Sequence, residues 1–195
     1  MKTMKKLTLF LVGIVAIAGL VATMGDVSAA SLTSRAMIQL SAQLTNTVGL
    51  QTASAPLSTT RTLDLANGVA INQANVIYSS TQSITTGATV SLDFAGGGLL
   101  DAFGAAVGPA KVKCVYLSAS PNNTTIVTAL GDTNNVPILS VKTTSVALTP
   151  GAVFLFCDPS LAAIGVTAGT GDIVKLVNAA GATASVDVVV LGTSS

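Results

Sequence analysis

"TASVDVVVLG" (Thr183–Gly192) is the stretch on which the fold turns. Asp187 sits between Val186 and Val188, and an unbroken apolar run follows. Polar–apolar alternation with a period of two marks a strand with one buried face. The run after it suits a strand that ends deep in a sheet, or one covered on both faces.

The same kind of run recurs on both sides. Strands are predicted near Arg61–Leu65, Asn75–Ser83, Thr89–Phe94, Lys111–Ser118, Thr124–Ala129, Val136–Val141, Ser145–Leu148, Val153–Cys157, Ile173–Asn178 and Ser185–Leu191. Turn residues punctuate them: "LANGVA", "TTGAT", "SPNNTT", "LGDTNN", "TPGA", "AGTGD" and "NAAGATA". Val, Thr, Ser, Ala and Gly dominate, so helical signal is weak. About eight to ten short strands at this spacing predict an all-β, single-domain antiparallel β-sandwich, jelly-roll-like. That domain is placed at residues 59–195, behind a flexible N-terminal arm at 30–58 that is rich in Ser, Thr, Ala and Gln.

One insertion interrupts the strands. In "AGGGLLDAFGAAVGPA" the glycines 96–98 precede an apolar turn that Gly108-Pro109 ends. Leu99, Leu100 and Phe103 fall at helical spacing. A short helical insertion near 99–106 is therefore expected, with these three residues as a packing plug over an open end of the sandwich. Asp101 would then point outward or sit near the helix start.

The N-terminus reads as a sorting signal. "MKTMKK" carries three lysines, Leu7–Met24 is apolar apart from two Thr and two Gly, and "GDVSAAS" offers small residues to a signal peptidase. Val27 and Ala29 fit the −3 and −1 positions, so residues 1–29 are expected to be a cleaved signal peptide. The location that follows is secreted or extracellular, with a virion surface as the alternative. A membrane role arises only if the leader is retained. Cleavage after Ala29 removes Lys2, Lys5, Lys6 and Asp26 and leaves six basic and seven acidic residues, a net charge of −1.

Export bears on the two cysteines. Cys114 and Cys157 each lie in a predicted strand, "KVKCVYL" and "AVFLFCD". They either pair, closing about 44 residues for ~4 kcal/mol on a chain-entropy argument, or stay as buried free thiols.

Composition narrows the function. There is no His, no Trp and no Glu, and the eight acids are all Asp, scattered singly. General acid–base and nucleophilic chemistry therefore lack their usual groups, and an enzyme is not expected. No catalytic, cofactor-binding or metal-binding residues are assigned, and no cofactor. "TAGTGD" (Thr167–Asp172) is a turn into a strand; no Lys-Ser/Thr pair or helix follows to make it a phosphate loop. "GDTNN" (Gly131–Asn135) clusters oxygen ligands but lacks the further acids of a calcium loop, and reads as a solvated turn. Asn122 and Asn123 begin formal glycosylation sequons. A near-neutral balance without a basic patch gives no case for nucleic acid.

Only 9% of the residues are charged, against about 25% in an average soluble domain. A surface that poor in charge is natural where subunits bury it, so a homo-oligomer is expected, a trimer by preference for a jelly roll.

"ANGVAINQANVIYSSTQSI", "LDFAGGGLLDAFGAAVGPAKVKCVYLS", "NNVPI", "LTPGAVFLFCDPS" and "VTAGTGDIVKLVNAAGATASVDVVVLG" follow in that order over Thr59–Gly192. Together they resemble a family of small phage and environmental-virus virion structural proteins, of the capsid-decoration or head-fibre type. Here the secretory leader is an addition to that pattern. The resemblance implies a non-enzymatic structural or assembly subunit of an oligomeric virion or extracellular surface assembly, with a capsid or surface-assembly partner and no catalytic residues. The alternative is a secreted, monomeric ligand- or carbohydrate-binding β-sandwich module.

Overall fold

Alternating burial runs through the strands. The computed structural model describes residues 15–18, 31–48 and 51–195. The first strands are β1 (Val15–Ala18), β2 (Leu32–Val48), β3 (Gln51–Asn67) and β4 (Gln73–Ala74). There follow β5 (Val76–Ile84), β6 (Thr89–Asp93), β7 (Lys111–Ala119), β8 (Val127–Leu130) and β9 (Ser145–Leu148). The chain closes with β10 (Val153–Cys157), β11 (Ile164–Gly165), β12 (Ile173–Val177) and β13 (Ala184–Thr193).

Two sheets face each other. One runs β10-β7-β13-β5, with β11 also on β7, and the other β6-β12-β8-β9. Leaving β11 aside, the first of the eight strands pairs with the last, the second with the seventh, and each late strand returns beside an early one. That is jelly-roll connectivity, and the protein is an all-β sandwich. Val186, Val188 and Val190 of β13 and Val115, Leu117 and Ala119 of β7 point into it. Leu92, Phe94, Val127, Leu148, Val174 and Leu176 meet them from the second sheet. Tyr78 and Phe94 join the sheets edge to face, with ring centroids 5.8 Å apart. Phe154 and Phe156 close the β10 side from partly buried positions.

A bulge sits where β7 leaves the core. The β13–β7 register shifts between Leu191 and Gly192, so Lys113 is the extra residue. Its buried ammonium donates to the Ser160 carbonyl. Gly192 is required there, because a Cβ would meet the Lys111 carbonyl and the Pro109 ring.

Three expectations are corrected. No helix forms near 99–106. The Asp101 carboxylate accepts from the Phe103 and Ala105 amides at 2.8 and 2.9 Å, which folds the segment into a turn closed by a Leu100–Ala106 bridge. That turn aims Phe103 and Leu100 outward, 66% and 53% exposed, and only Leu99 packs on the core. They are not a plug. Residues 136–141 form turns instead of a strand, with Ile138 donating back to Val136 and Val141 to Leu139.

The third correction is the N-terminal arm. β2 and β3 are a hairpin in unbroken register from Ser34–Leu65 to Val48–Gln51, so the boundary expected at 58/59 falls inside β3. β1 pairs with the start of β2, from Val15–Arg35 to Ala18–Leu32. Apart from β1, the leader read over residues 1–29 lies outside the described residues.

Leu117 is fully buried between the sheets, and Phe103 is not. Replacing Leu117 with Ala is expected to lower unfolding stability by about 2–5 kcal/mol, while Phe103→Ala stays within ~1 kcal/mol. Denaturant titration of both variants measures this; equal losses would contradict the assignment of the core.

Candidate functional site

The β2–β3 hairpin is two-faced. In β2 the even positions Leu32, Ser34, Ala36, Ile38, Leu40, Ala42 and Leu44 are mostly apolar, and the odd ones mostly polar. Directly opposed residues of an antiparallel pair share a face. The register therefore sets Leu65 beside Ser34, Leu63 beside Ala36, Leu57 beside Ala42 and Ala55 beside Leu44. The other face holds the Arg35–Asp64 ion pair at 2.5 Å and a Gln43–Ser54 hydrogen bond at 2.7 Å.

The base of the apolar face is used. Leu32, Ser34, Ala36 and Leu65 are buried, and Leu63 is partly so. They lie on the outer face of the first sheet, over one row of paired residues: Ile77, Leu191, Cys114 and Cys157. Cys114 and Cys157 face each other in register and are joined by a disulfide. Past this row the same face is uncovered, with Ile38, Leu40, Leu44 and Leu57 between 53% and 74% exposed. A small cavity of about 160 Å³, lined by Ala36, Ile38, Arg61, Leu63, Leu155 and Pro159 among others, marks where the hairpin passes the β10 edge. The remaining outer face carries the rows Leu155–Tyr116–Val189–Ser79 and Val153–Ser118–Asp187–Thr81, partly or fully exposed.

A second concave surface lies at the opposite margin. It holds about 320 Å³ between Leu32, Val76, Ile77, Ala106, Val107 and the exposed Phe103. Its lining is apolar except for Ser31, Asn75, Ser79 and Asp101.

The polar motifs are absorbed locally. Asp132 of "GDTNN" accepts from the Asn134 amide at 2.9 Å and from the Lys175 ammonium at 3.1 Å. These two contacts, the amide foremost, hold its carboxyl below the ordinary value of 3.8. Asp158 is lowered in the same way by Ser160. In "TAGTGD", Asp172 accepts from the Gly169 amide at 2.6 Å, and Thr167 and Gly171 bridge the turn. Asn123 is buried and bonds the Ser185 backbone both ways, whereas Asn122 is exposed. Among the described residues there is no group of three His, Cys, Asp or Glu side chains placed to hold a metal. No helix among them is long and apolar enough to cross a membrane.

No protein-family model, no curated protein and no solved structure matches this chain.

The sequence reading missed the hairpin. Its signal was the even-numbered alternation from Leu32 to Leu44, diluted by Ser and Ala.

The disulfide spans 43 residues, so C114A/C157A is expected to lower unfolding stability by about 4 kcal/mol in denaturant. A loss below ~1 kcal/mol would show that the hairpin base holds that face without the bond. Asp132 is lowered in the folded state, so its stabilisation is complete above the unfolded value near 3.8 and is lost as pH falls through the folded value. The melting temperature of Asp132→Asn is expected to fall less between pH 5 and pH 2 than that of wild type; parallel curves would contradict this.

Proposed function

We propose that this chain is a non-enzymatic structural subunit, a jelly-roll module of an oligomeric virion or extracellular surface assembly. The observation that carries the reading is the hairpin. Beyond Ala36 it holds a row of large apolar side chains, Ile38, Leu40, Leu44 and Leu57, more than half exposed on a two-stranded ribbon. A two-stranded ribbon is at best marginal alone, and an apolar face of this kind marks an interaction surface. Low charge supports the same reading, since interfaces between identical subunits are depleted in charge at their cores. The architecture is one that capsid and lectin domains share, which favours the class without fixing it.

The second reading is a secreted, monomeric ligand- or carbohydrate-binding module. The exposed Phe103 beside the 320 Å³ cleft favours it, because sugar rings stack on exposed aromatic faces.

The native mass of the exported protein, with its N-terminus read in the same mass-spectrometry run, separates the two. A multimer beginning at Ala30 or Ser31 is expected. A monomer with that start would transfer the assignment to the binding module, and an intact Met1 would assign a membrane-retained form.

A further inference from the structure

We infer that the hairpin is an exchanged arm: the apolar face beyond Ala36 lies on the outer sheet face of a second copy, which returns its own arm. This rests on the assembly reading above and names its contact.

The length of the apolar stripe carries the argument. The row Ile77, Leu191, Cys114, Cys157 crosses four strands, about 14 Å at the usual spacing. The hairpin covers it with Leu32–Ala36, about 13 Å at the strand rise. One stride of this ribbon is therefore one sheet width. The stripe does not stop there. It continues through Ile38, Leu40, Ala42 and Leu44, with Leu57 and Ala55 opposite, and then the sequence turns to Thr45, Asn46 and Thr47. The full stripe, Leu32 to Leu44, is about 40 Å long, more than the roughly 33 Å of two sheet widths and the gap between two strands.

The second stride needs an open outer sheet face beyond β10. The ribbon keeps its register without a bulge past β10, which is an edge of its sheet. If two copies set their β10 edges side by side about a twofold axis normal to the sheets, each ribbon passes directly onto the neighbour's outer face. The neighbour's disulfide row is already covered by its own hairpin base. Of the two open rows, Leu155, Tyr116, Val189 and Ser79 is the one that adjoins it. Leu40 and Leu44 then sit above it, and the two arms lie antiparallel, each with its polar face in water.

The area agrees. Ile38, Leu40, Ala42, Leu44, Ala55 and Leu57, with Thr59 and Arg61, face that surface. At the cover usual per interface residue they bury roughly 210–320 Å² and as much beneath them. One arm falls in the range of incidental contacts; two reciprocal arms reach roughly 850–1,300 Å², the low end of specific interfaces.

The test is native mass spectrometry of the full-length chain with L40E/L44E, beside Ser41→Glu on the opposite, polar face. The expected result is a dimer for wild type and Ser41→Glu, with a mass twofold lower for L40E/L44E. Melting of the sandwich should be unchanged, because neither leucine touches its core. An oligomer that survives L40E/L44E, or a wild-type trimer, overturns the exchange and leaves the assembly reading standing. A wild-type monomer overturns the assembly reading and the exchange together.

Discussion

Everything outside the sandwich depends on one row of side chains: Ile77, Leu191, Cys114 and Cys157, paired across four strands and roofed by Leu32 and Leu65. Without that roof the first sheet would present an apolar stripe to water at its disulfide end. With it, this end of the molecule has three layers, and β13 is covered on both faces. The apolar run at the end of "TASVDVVVLG" serves two clusters. Val186, Val188 and Val190 serve the sandwich, while Leu191 serves the second, smaller cluster. The bulge at Lys113 lets one strand satisfy both layers, because it changes which side chains of β7 point inward on either side of it.

The sandwich was legible because its information is local. A buried face forces alternation, and alternation survives in Thr89–Asp93, Ile173–Val177 and Ala184–Thr193 almost residue by residue. Val136–Val141 failed for a physical reason: apolar content without alternation or turn signals at both ends does not separate a strand from a packed loop. Val136 and Ile138 are buried, but through turns. The insertion at 99–106 failed for another. Helical spacing of Leu99, Leu100 and Phe103 was real, yet a single Asp101 carboxylate supplied the amides of the next turn with an acceptor and removed the reason to build a helix.

The hairpin was the larger miss and the more instructive one. Ser34, Ala36 and Ala42 are weakly hydrophobic, so the stripe they belong to reads as a polar lead-in. Its partner strand contains Pro56, which argues against a central strand and is compatible with the outer edge of a ribbon. The face on which function is argued was thus the least visible from composition. Small residues let a ribbon lie close to a flat sheet, and that same smallness conceals it.

The N-terminal strand adds a condition. β1 occupies the edge of β2 opposite Leu32–Arg35, beside the residues that anchor the hairpin. Removal of a leader ending at Ala29 would take β1 with it and leave that edge unpaired. The base would then be held by Leu32, Ala36 and Leu65 against the disulfide row, and by the parallel contact of β3 with β4. An unpaired edge invites another strand. The hairpin would therefore carry both an open edge at its base and an open apolar face beyond it after processing.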